Sequence, residues 1–204
     1  MCIEKEKLEL QKQLTEIKLK LCQLEEQEQS SITPDELIEL ANSGKLTEQQ
    51  LQTYLQNGGN INYKNNVGWT ALMWASEKGR LKIVQLLVEN GAKLDLQNKN
   101  GNTALMQASW YGYLDIVKVL VENGADINIQ NNDNNTALMW ASYQDHLEIV
   151  QYLVENGAKI DIQNKWGDTA LMGASKNGHK NIVEYLKQKS IEYYQSKIDE
   201  IKKY

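Results

Sequence analysis

Apolar residues recur along most of the chain at helical spacing, in short stretches separated by turn-forming residues. In the clearest of these stretches, Leu72 and Ala75 fall on one face of a helix that begins at Thr70. A second apolar stripe follows at residues 83–88, after a break at Gly79. The pattern therefore predicts two short helices joined by a tight turn.

The same arrangement returns at a fixed interval. The string Thr-Ala-Leu-Met starts at Thr70, Thr103, Thr136 and Thr169, and each start is 33 residues after the last. The string Glu-Asn-Gly-Ala recurs at the same interval, from Glu89, Glu122 and Glu155. Two separate strings in one register indicate a tandem repeat, and a period of this length is typical of a solenoid.

Each unit is predicted to run helix, tight turn, helix and extended turn. The Asn-Gly pair at residues 90–91 closes the second helix, and residues 94–101 are rich in turn formers. An imperfect copy occupies residues 34–66. One such unit cannot bury both helical faces, whereas stacked neighbours can share a continuous core. We therefore expect an all-α fold.

The repeat resembles that of the ankyrin-repeat family over roughly residues 34–186. The family's Thr-Pro-Leu-His-x-Ala-Ala box corresponds to Thr-Ala-Leu-Met-Trp-Ala-Ser at residues 70–76, and its Gly-His pair corresponds to Gly178-His179. Its Ile-Val and Leu-Leu pairs correspond to residues 83–84 and 86–87. The resemblance implies an ankyrin-repeat solenoid that binds another protein.

This chain departs from the family pattern at three places. Methionine replaces the family histidine at Met73, Met106, Met139 and Met172, which substitutes an apolar stripe for polar contacts between repeats. Alanine replaces the proline that starts the first helix, at little cost. Asn134 and Asp145 stand where neighbouring repeats have glycine, and both types tolerate a positive φ better than most residues.

Long helices are predicted to flank the repeats. We divide the chain into an N-terminal, coiled-coil-like helix at 1–30, a degenerate capping repeat at 31–66, four repeats at 67–186 and a helical extension at 187–204. The N-terminal helix has a heptad seam of candidate oligomerisation residues at Leu10, Leu14, Ile17, Leu21 and Leu24. The extension spaces Ile191, Tyr194, Ile198 and Ile201 three, four and three apart. Two interpretations stay open: these helices cap the solenoid, or they join chains into a homo-oligomer.

Composition narrows the classes of partner. The 204 residues carry a formal net charge of −5, which argues against nucleic acid or an anionic membrane as the main partner. No apolar run approaches the length of about 20 residues that a membrane helix needs. Cys2 and Cys22 form no disulfide framework, so we expect a reducing, cytoplasmic location.

The sequence offers no catalytic or cofactor-binding constellation. His146 and His179 start second helices, where the family often has histidine, and Asp145 beside His146 lacks a nucleophile. No glycine-rich phosphate loop occurs, and the Asn-rich turns lack the glutamate of a calcium loop. We therefore expect no enzyme activity, no cofactor and no metal.

The aromatic residues are the informative set. Tryptophan and tyrosine are enriched at interface hot spots, and a cluster of them on one face would mark a partner site. The candidates lie in first helices or in the turns before them: Trp69, Trp74, Trp110, Tyr111, Trp140, Tyr143 and Trp166. Polar surroundings are expected from Asn66, Lys78, Lys99, Asp133 and Lys165.

For some of these rings a structural role is equally open. Trp74 and Trp140 could pack between adjacent first helices, and Trp69 and Trp166 could cover a neighbouring turn. Trp110, Tyr111 and Tyr143 have the weakest structural role, because the end of the first helix is expected to face solvent. We therefore expect these three at the centre of a protein-binding surface on the concave face. The alternative is a structural scaffold whose terminal helices carry the function.

Overall fold

A computed structural model describes residues 11–20 and 32–202, and the repeats form a single stack of helix pairs. The N-terminal pair comprises Pro34–Ser43 and Glu48–Gln56. The first helices of the four full repeats are Ala71–Glu77, Ala104–Tyr111, Ala137–Tyr143 and Ala170–Lys176. The second helices are Leu81–Glu89, Leu114–Glu122, Leu147–Glu155 and Lys180–Ile201. Within the described residues there is no strand, as the predicted all-α fold requires.

The repeated threonine starts every first helix. The Oγ1 atom of Thr70 accepts a hydrogen bond from the backbone N–H of Met73 at 3.3 Å. The same bond recurs in the other full repeats at Thr103, Thr136 and Thr169. Such a cap satisfies a backbone donor that has no partner inside the helix, so the string that marks the repeat also fixes where its helix begins.

Two residues confirm the expectation for the positions that lack glycine. Asn134 has φ 60° and Asp145 has φ 63°, and both lie in the left-handed region. Gly101 and Gly112, their counterparts one repeat earlier, have φ 80° and 82°. The turn geometry is therefore kept without glycine.

The core runs the length of the stack and is most tightly packed along the first helices. Alanines one turn into these helices, Ala75, Ala108, Ala141 and Ala174, are completely buried. The first helices contact each other more extensively than the second helices do. Because their small side chains bring their backbones closer, the stack curves toward them, and the first helices line its concave face.

The methionine stripe changes character at the C-terminal end. Met73, Met106 and Met139 are buried, but Met172 is 46% exposed. The helix that follows it continues without a break to Ile201, so it does not fold back across Met172. The C-terminal extension therefore leaves the last first helix uncovered.

The structure describes the middle of the predicted N-terminal helix. Residues 11–20 are helical, with Leu14 and Ile17 51% and 54% exposed. Leu10, Leu21 and Leu24 lie outside the described residues, as do Cys2 and Cys22. In the degenerate repeat, each of the two helices begins with a capping box, at Thr33 and at Thr47. Leu37 and Leu51 of these helices are completely buried.

The buried leucines of the first helices give a test of the repeat register. Leu105 and Leu138 are 2% and 1% exposed. Replacing either with alanine should lower the free energy of unfolding by about 2–5 kcal/mol, through lost burial and the cavity left behind. Urea denaturation measures this loss. Glu148→Ala, an exposed change on a second helix, is the control, and an unchanged midpoint for Leu105→Ala would contradict the register.

Candidate partner-binding surface

Two positions in the first helices differ between otherwise matching repeats. The position after the methionine holds Trp74, Gln107, Trp140 and Gly173 in the four full repeats. The position after the Ala-Ser pair holds Glu77, Trp110, Tyr143 and Lys176. The repeated leucine, alanine and serine are buried in the first three of these repeats. The varying positions lie beside them and are mostly partly exposed, although Gln107 is buried.

Three aromatic rings from two adjacent repeats make one cluster. Trp110 lies edge-on to Trp140, with ring centroids 4.5 Å apart and an interplanar angle of 77°. Trp110 also lies nearly parallel to Tyr143, with centroids 6.0 Å apart. We call Trp110, Trp140 and Tyr143 the aromatic cluster. Both edge-to-face and offset parallel contacts are favourable geometries for such rings.

The burial of Trp110 corrects one expectation from the sequence. Its ring was expected to face solvent at the helix end, but it is partly buried because it packs on Trp140 and Tyr143. Tyr143 is 47% exposed and Tyr111 is 46% exposed. Tyr111 turns away from the aromatic cluster and stacks on Tyr113, with centroids 6.4 Å apart.

A second aromatic contact lies one repeat toward the N-terminus. Trp69, in the extended turn, packs on Trp74 of the following helix with ring centroids 4.5 Å apart. The Lys78 ammonium lies 5.6 Å from the centroid of Trp74 and donates a hydrogen bond to Glu77 Oε1 at 2.8 Å. The hydrogen bond and then the charge of Glu77 raise the pKa of Lys78 above its ordinary value.

Two adjoining cavities open on this surface and share Trp110 and Trp140 as walls. The first cavity, of about 330 Å³, is lined by Trp69, Glu77, Asn102, Met106, Gln107, Trp110, Tyr111 and Trp140. The second, of about 290 Å³, lies toward the C-terminus. Its walls include Tyr143 and Trp166, which is 68% exposed, together with Asp133, Asp168 and Lys176. The surface is therefore apolar in its walls and charged at one end.

The remaining predicted residues lie around the cavities rather than in them. Trp74, Asn66, Lys78, Lys99 and Lys165 line neither the first nor the second. Lys165 forms an ion pair with Asp133 at 3.5 Å, and Asn66 and Lys99 are exposed in the extended turns.

Sequence reasoning missed Glu77, Gln107, Asp168 and Lys176, which line one cavity or the other. Three of the four occupy the two varying helix positions. Aligning the repeats with one another would have found those three, because they stand where other repeats have the predicted aromatic residues.

The extended turns before the first helices are joined by a ladder of asparagine side chains. The Nδ2 atom of Asn131 donates to Oδ1 of Asn102 in the preceding turn at 2.7 Å. Asn164 donates to Asn135 in the same way at 3.0 Å, one repeat later. These bonds fix the spacing of successive turns.

Trp69 interrupts this ladder. Asn98 is the counterpart of Asn131, and the residue that its amide should reach is the counterpart of Asn102, which is Trp69. The Asn98 Nδ2 atom is buried and has no hydrogen-bond partner among the described residues. An unpaired buried amide costs stability. At Trp69 the chain therefore lacks the hydrogen bond between turns that the later repeats make.

Two histidines hold the ends of the helices that carry the aromatic cluster. His146 Nε2 donates to the Trp110 carbonyl oxygen at 3.0 Å, and His179 Nε2 donates to that of Tyr143 at 2.9 Å. The Nδ1 atom of His179 lies 3.5 Å from an Asp145 carboxylate oxygen. Each histidine belongs to the repeat after the residue it holds, so the bonds tie neighbouring repeats together beneath the surface.

Stacked helix pairs with a variable concave face define a repeat solenoid. The family model described as ankyrin repeats, in three copies, matches residues 37–131 and 124–197. The chain therefore belongs to the ankyrin-repeat family, whose repeats generally mediate contacts between proteins and are typically not enzymes. No curated protein matches the chain.

Two further findings concern membranes and metal ions. Among residues 11–20 and 32–202, no helix has both the length and the apolar character to span a bilayer. In the same part of the chain, no three His, Cys, Asp or Glu side chains come together as metal ligands.

The interrupted ladder predicts a difference between two substitutions at one position. Trp69→Asn and Trp69→Ala both remove the ring, but only asparagine restores an acceptor for Asn98. The asparagine variant should be more stable than the alanine variant by about 1 kcal/mol, the net value of a typical hydrogen bond. Chemical denaturation of both proteins measures it. The difference should vanish in an Asn98→Ala background, and equal stability in the native background would refute the ladder interpretation.

Proposed function

We propose that the chain binds a protein partner on its concave face, with the aromatic cluster at the centre of the contact. The observation that carries this proposal is the continuity of the surface. Rings from consecutive repeats and from the turns before them line two cavities that share the walls Trp110 and Trp140. Partly exposed tryptophan and tyrosine in concave sites are the side chains that most often supply binding energy.

The repeats themselves argue that the fold does not require these rings. The position of Trp110 and Tyr143 is held by Glu77 in the repeat before and by Lys176 in the repeat after. A charged side chain is therefore compatible with the helix and with its stacking. Aromatic residues at this position gain most from burial by a partner.

Charged groups around the second cavity would orient the partner. Lys176 pairs with Asp168 at 2.6 Å, and Lys165 pairs with Asp133 at 3.5 Å. The Lys165–Asp133 pair is more than half exposed on both sides, and an ion pair as exposed as this contributes little to the stability of the fold. Its exchange for charges on a partner costs little, and complementary charge at a rim favours one orientation and one partner over others.

The proposed surface is formed before the partner arrives. Ring contacts fix the aromatic cluster from the side, and the histidine bonds fix the helix ends beneath it. A preformed surface avoids much of the entropy cost of binding. We propose binding without catalysis, to a protein rather than to nucleic acid or a membrane, in the cytoplasm.

The aromatic cluster supplies the direct test. Tyr143→Ala should weaken partner binding by about 2 kcal/mol or more, mostly through a faster off-rate. Trp110→Ala should weaken it similarly, with some loss of stability because that ring is partly buried. The measurement is capture from the native source, identification of the retained protein, and titration of that protein against each variant.

Tyr193→Ala is the matched control, since Tyr193 is partly exposed on the C-terminal extension, away from the concave face and outside the stripe of Ile191, Tyr194, Ile198 and Ile201. It should leave affinity unchanged. Unchanged affinity for Tyr143→Ala, with a clearly lowered melting temperature, would mean that the ring belongs to the core.

A second candidate function is self-association through the terminal helices. The C-terminal extension exposes Ile191, Tyr194, Ile198 and Ile201, between 46% and 75% each. Leu14 and Ile17 of the N-terminal seam are also exposed. Apolar stripes at this spacing are typical of helices that pair with another helix.

If the N-terminal seam joins chains, Leu14→Lys or Leu21→Lys should convert an oligomer to a monomer without unfolding the repeats. Light scattering over a range of concentrations gives the mass, and circular dichroism shows whether the helices persist. A native chain that is monomeric at every concentration would reject this function and leave concave-face binding.

A further inference from the structure

We infer that the first cavity receives an arginine side chain of the protein partner. This inference rests on the proposed function and specifies the chemistry of its central contact. Trp69, Trp110 and Trp140 line the cavity, and Glu77 is its one charged lining residue. Aromatic faces together with a carboxylate are the combination that attracts a planar cation.

Glu77 lies where a carboxylate needs a cation. Its side chain is only 12% exposed, although it sits at the mouth of an open surface. It is also the last residue of its helix, where the partial negative charge of the helix end disfavours an acidic group. Other repeats hold Trp110, Tyr143 and Lys176 at this position, and none of these is acidic.

The chain supplies one cation to Glu77 and leaves room for a second. Lys78 donates to Oε1, and no donor among the described residues reaches Oε2. Lys78 lies over Trp74 and does not line the cavity. A guanidinium group could therefore bond the second carboxylate oxygen from the cavity side, through a charge-assisted hydrogen bond.

The two cavities differ in whether a lysine in the wall already pairs with the carboxylate. In the second, the wall residue Lys176 already bonds both oxygens of Asp168, at 2.7 and 2.6 Å. The first has no cation in its walls. The tryptophan faces that line it also attract a cation. Charge complementarity therefore places the arginine in the first cavity.

Arginine fits this cavity better than lysine does. Its guanidinium is flat and weakly hydrated, so it can stack on a tryptophan face while its edge meets a carboxylate. An ammonium is compact and strongly hydrated, and it would lose more hydration between apolar walls. On the cavity wall, Gln107 carries a side-chain oxygen that can accept from one of the remaining N–H donors, whereas the oxygen of Asn102 already accepts from Asn131.

The test uses short blocked peptides, so it does not depend on knowing the partner. Acetyl-Gly-Arg-Gly-amide is titrated against the whole chain, with tryptophan fluorescence as the readout. The citrulline and lysine peptides serve as a neutral isostere and as the other cation. We expect the arginine peptide to bind in the millimolar range, on the order of tenfold tighter than either analogue. Added salt should weaken only the charged peptides.

Glu77→Gln should lower the affinity of the arginine peptide to that of the citrulline peptide. The affinity of the citrulline peptide itself should not change. Glu148→Gln, which makes the same charge change at an exposed site on a second helix, is the control and should change neither. Melting curves of both variants confirm that they are folded. If Glu77→Gln is not folded, Trp69→Ala replaces it, and loss of the arginine preference is again the expected result.

Equal affinity for arginine and citrulline would overturn the inference, and so would lysine binding as tightly as arginine. A preference for arginine that survives Glu77→Gln would also overturn it. These failures are distinguishable from failure of the proposed function. If the proposed function fails, binding of the captured partner would be insensitive to Tyr143→Ala, whatever the result with the peptides.

Discussion

The close stacking of the first helices is the interaction on which the rest of the structure depends. A single helix pair cannot bury its own apolar faces, so each repeat is stable only against its neighbours. Alanines such as Ala75 and Ala108 permit the approach, since any larger side chain there would separate the helices. The curvature, the concave face and the spacing of the surface residues all follow from that approach.

A surface built on this stack takes on its regularity. Successive side chains at one helix position are set by the stacking distance, so Trp110 and Tyr143 lie parallel because they are the same position in consecutive repeats. Inter-repeat bonds from His146 and His179 hold the backbone beneath them. The side chains at a few helix positions therefore vary, while the backbone of the helix pairs stays the same from repeat to repeat.

The sequence was sufficient to predict the repeats, since a capped Thr-Ala-Leu-Met string at a constant interval leaves few alternatives. It also singled out Trp110, Trp140 and Tyr143, whose rings the structure brings together, while their part in binding stays a prediction. It could not predict that Trp110 is partly buried or that Tyr111 turns toward Tyr113, because those depend on how neighbouring repeats are rotated. The unpaired amide of Asn98 depends in the same way on a contact between repeats.

The differences between repeats also bear on how the chain finds its order during folding. Residues 70–76 and 136–142 have the same sequence, so a wrongly ordered or exchanged pairing of repeats would meet nearly the same core. Contacts that exist in only one order, such as the ring of Trp110 on those of Trp140 and Tyr143, separate the correct arrangement from these competitors. The residues that differ between repeats therefore help to determine the order in which otherwise similar repeats stack.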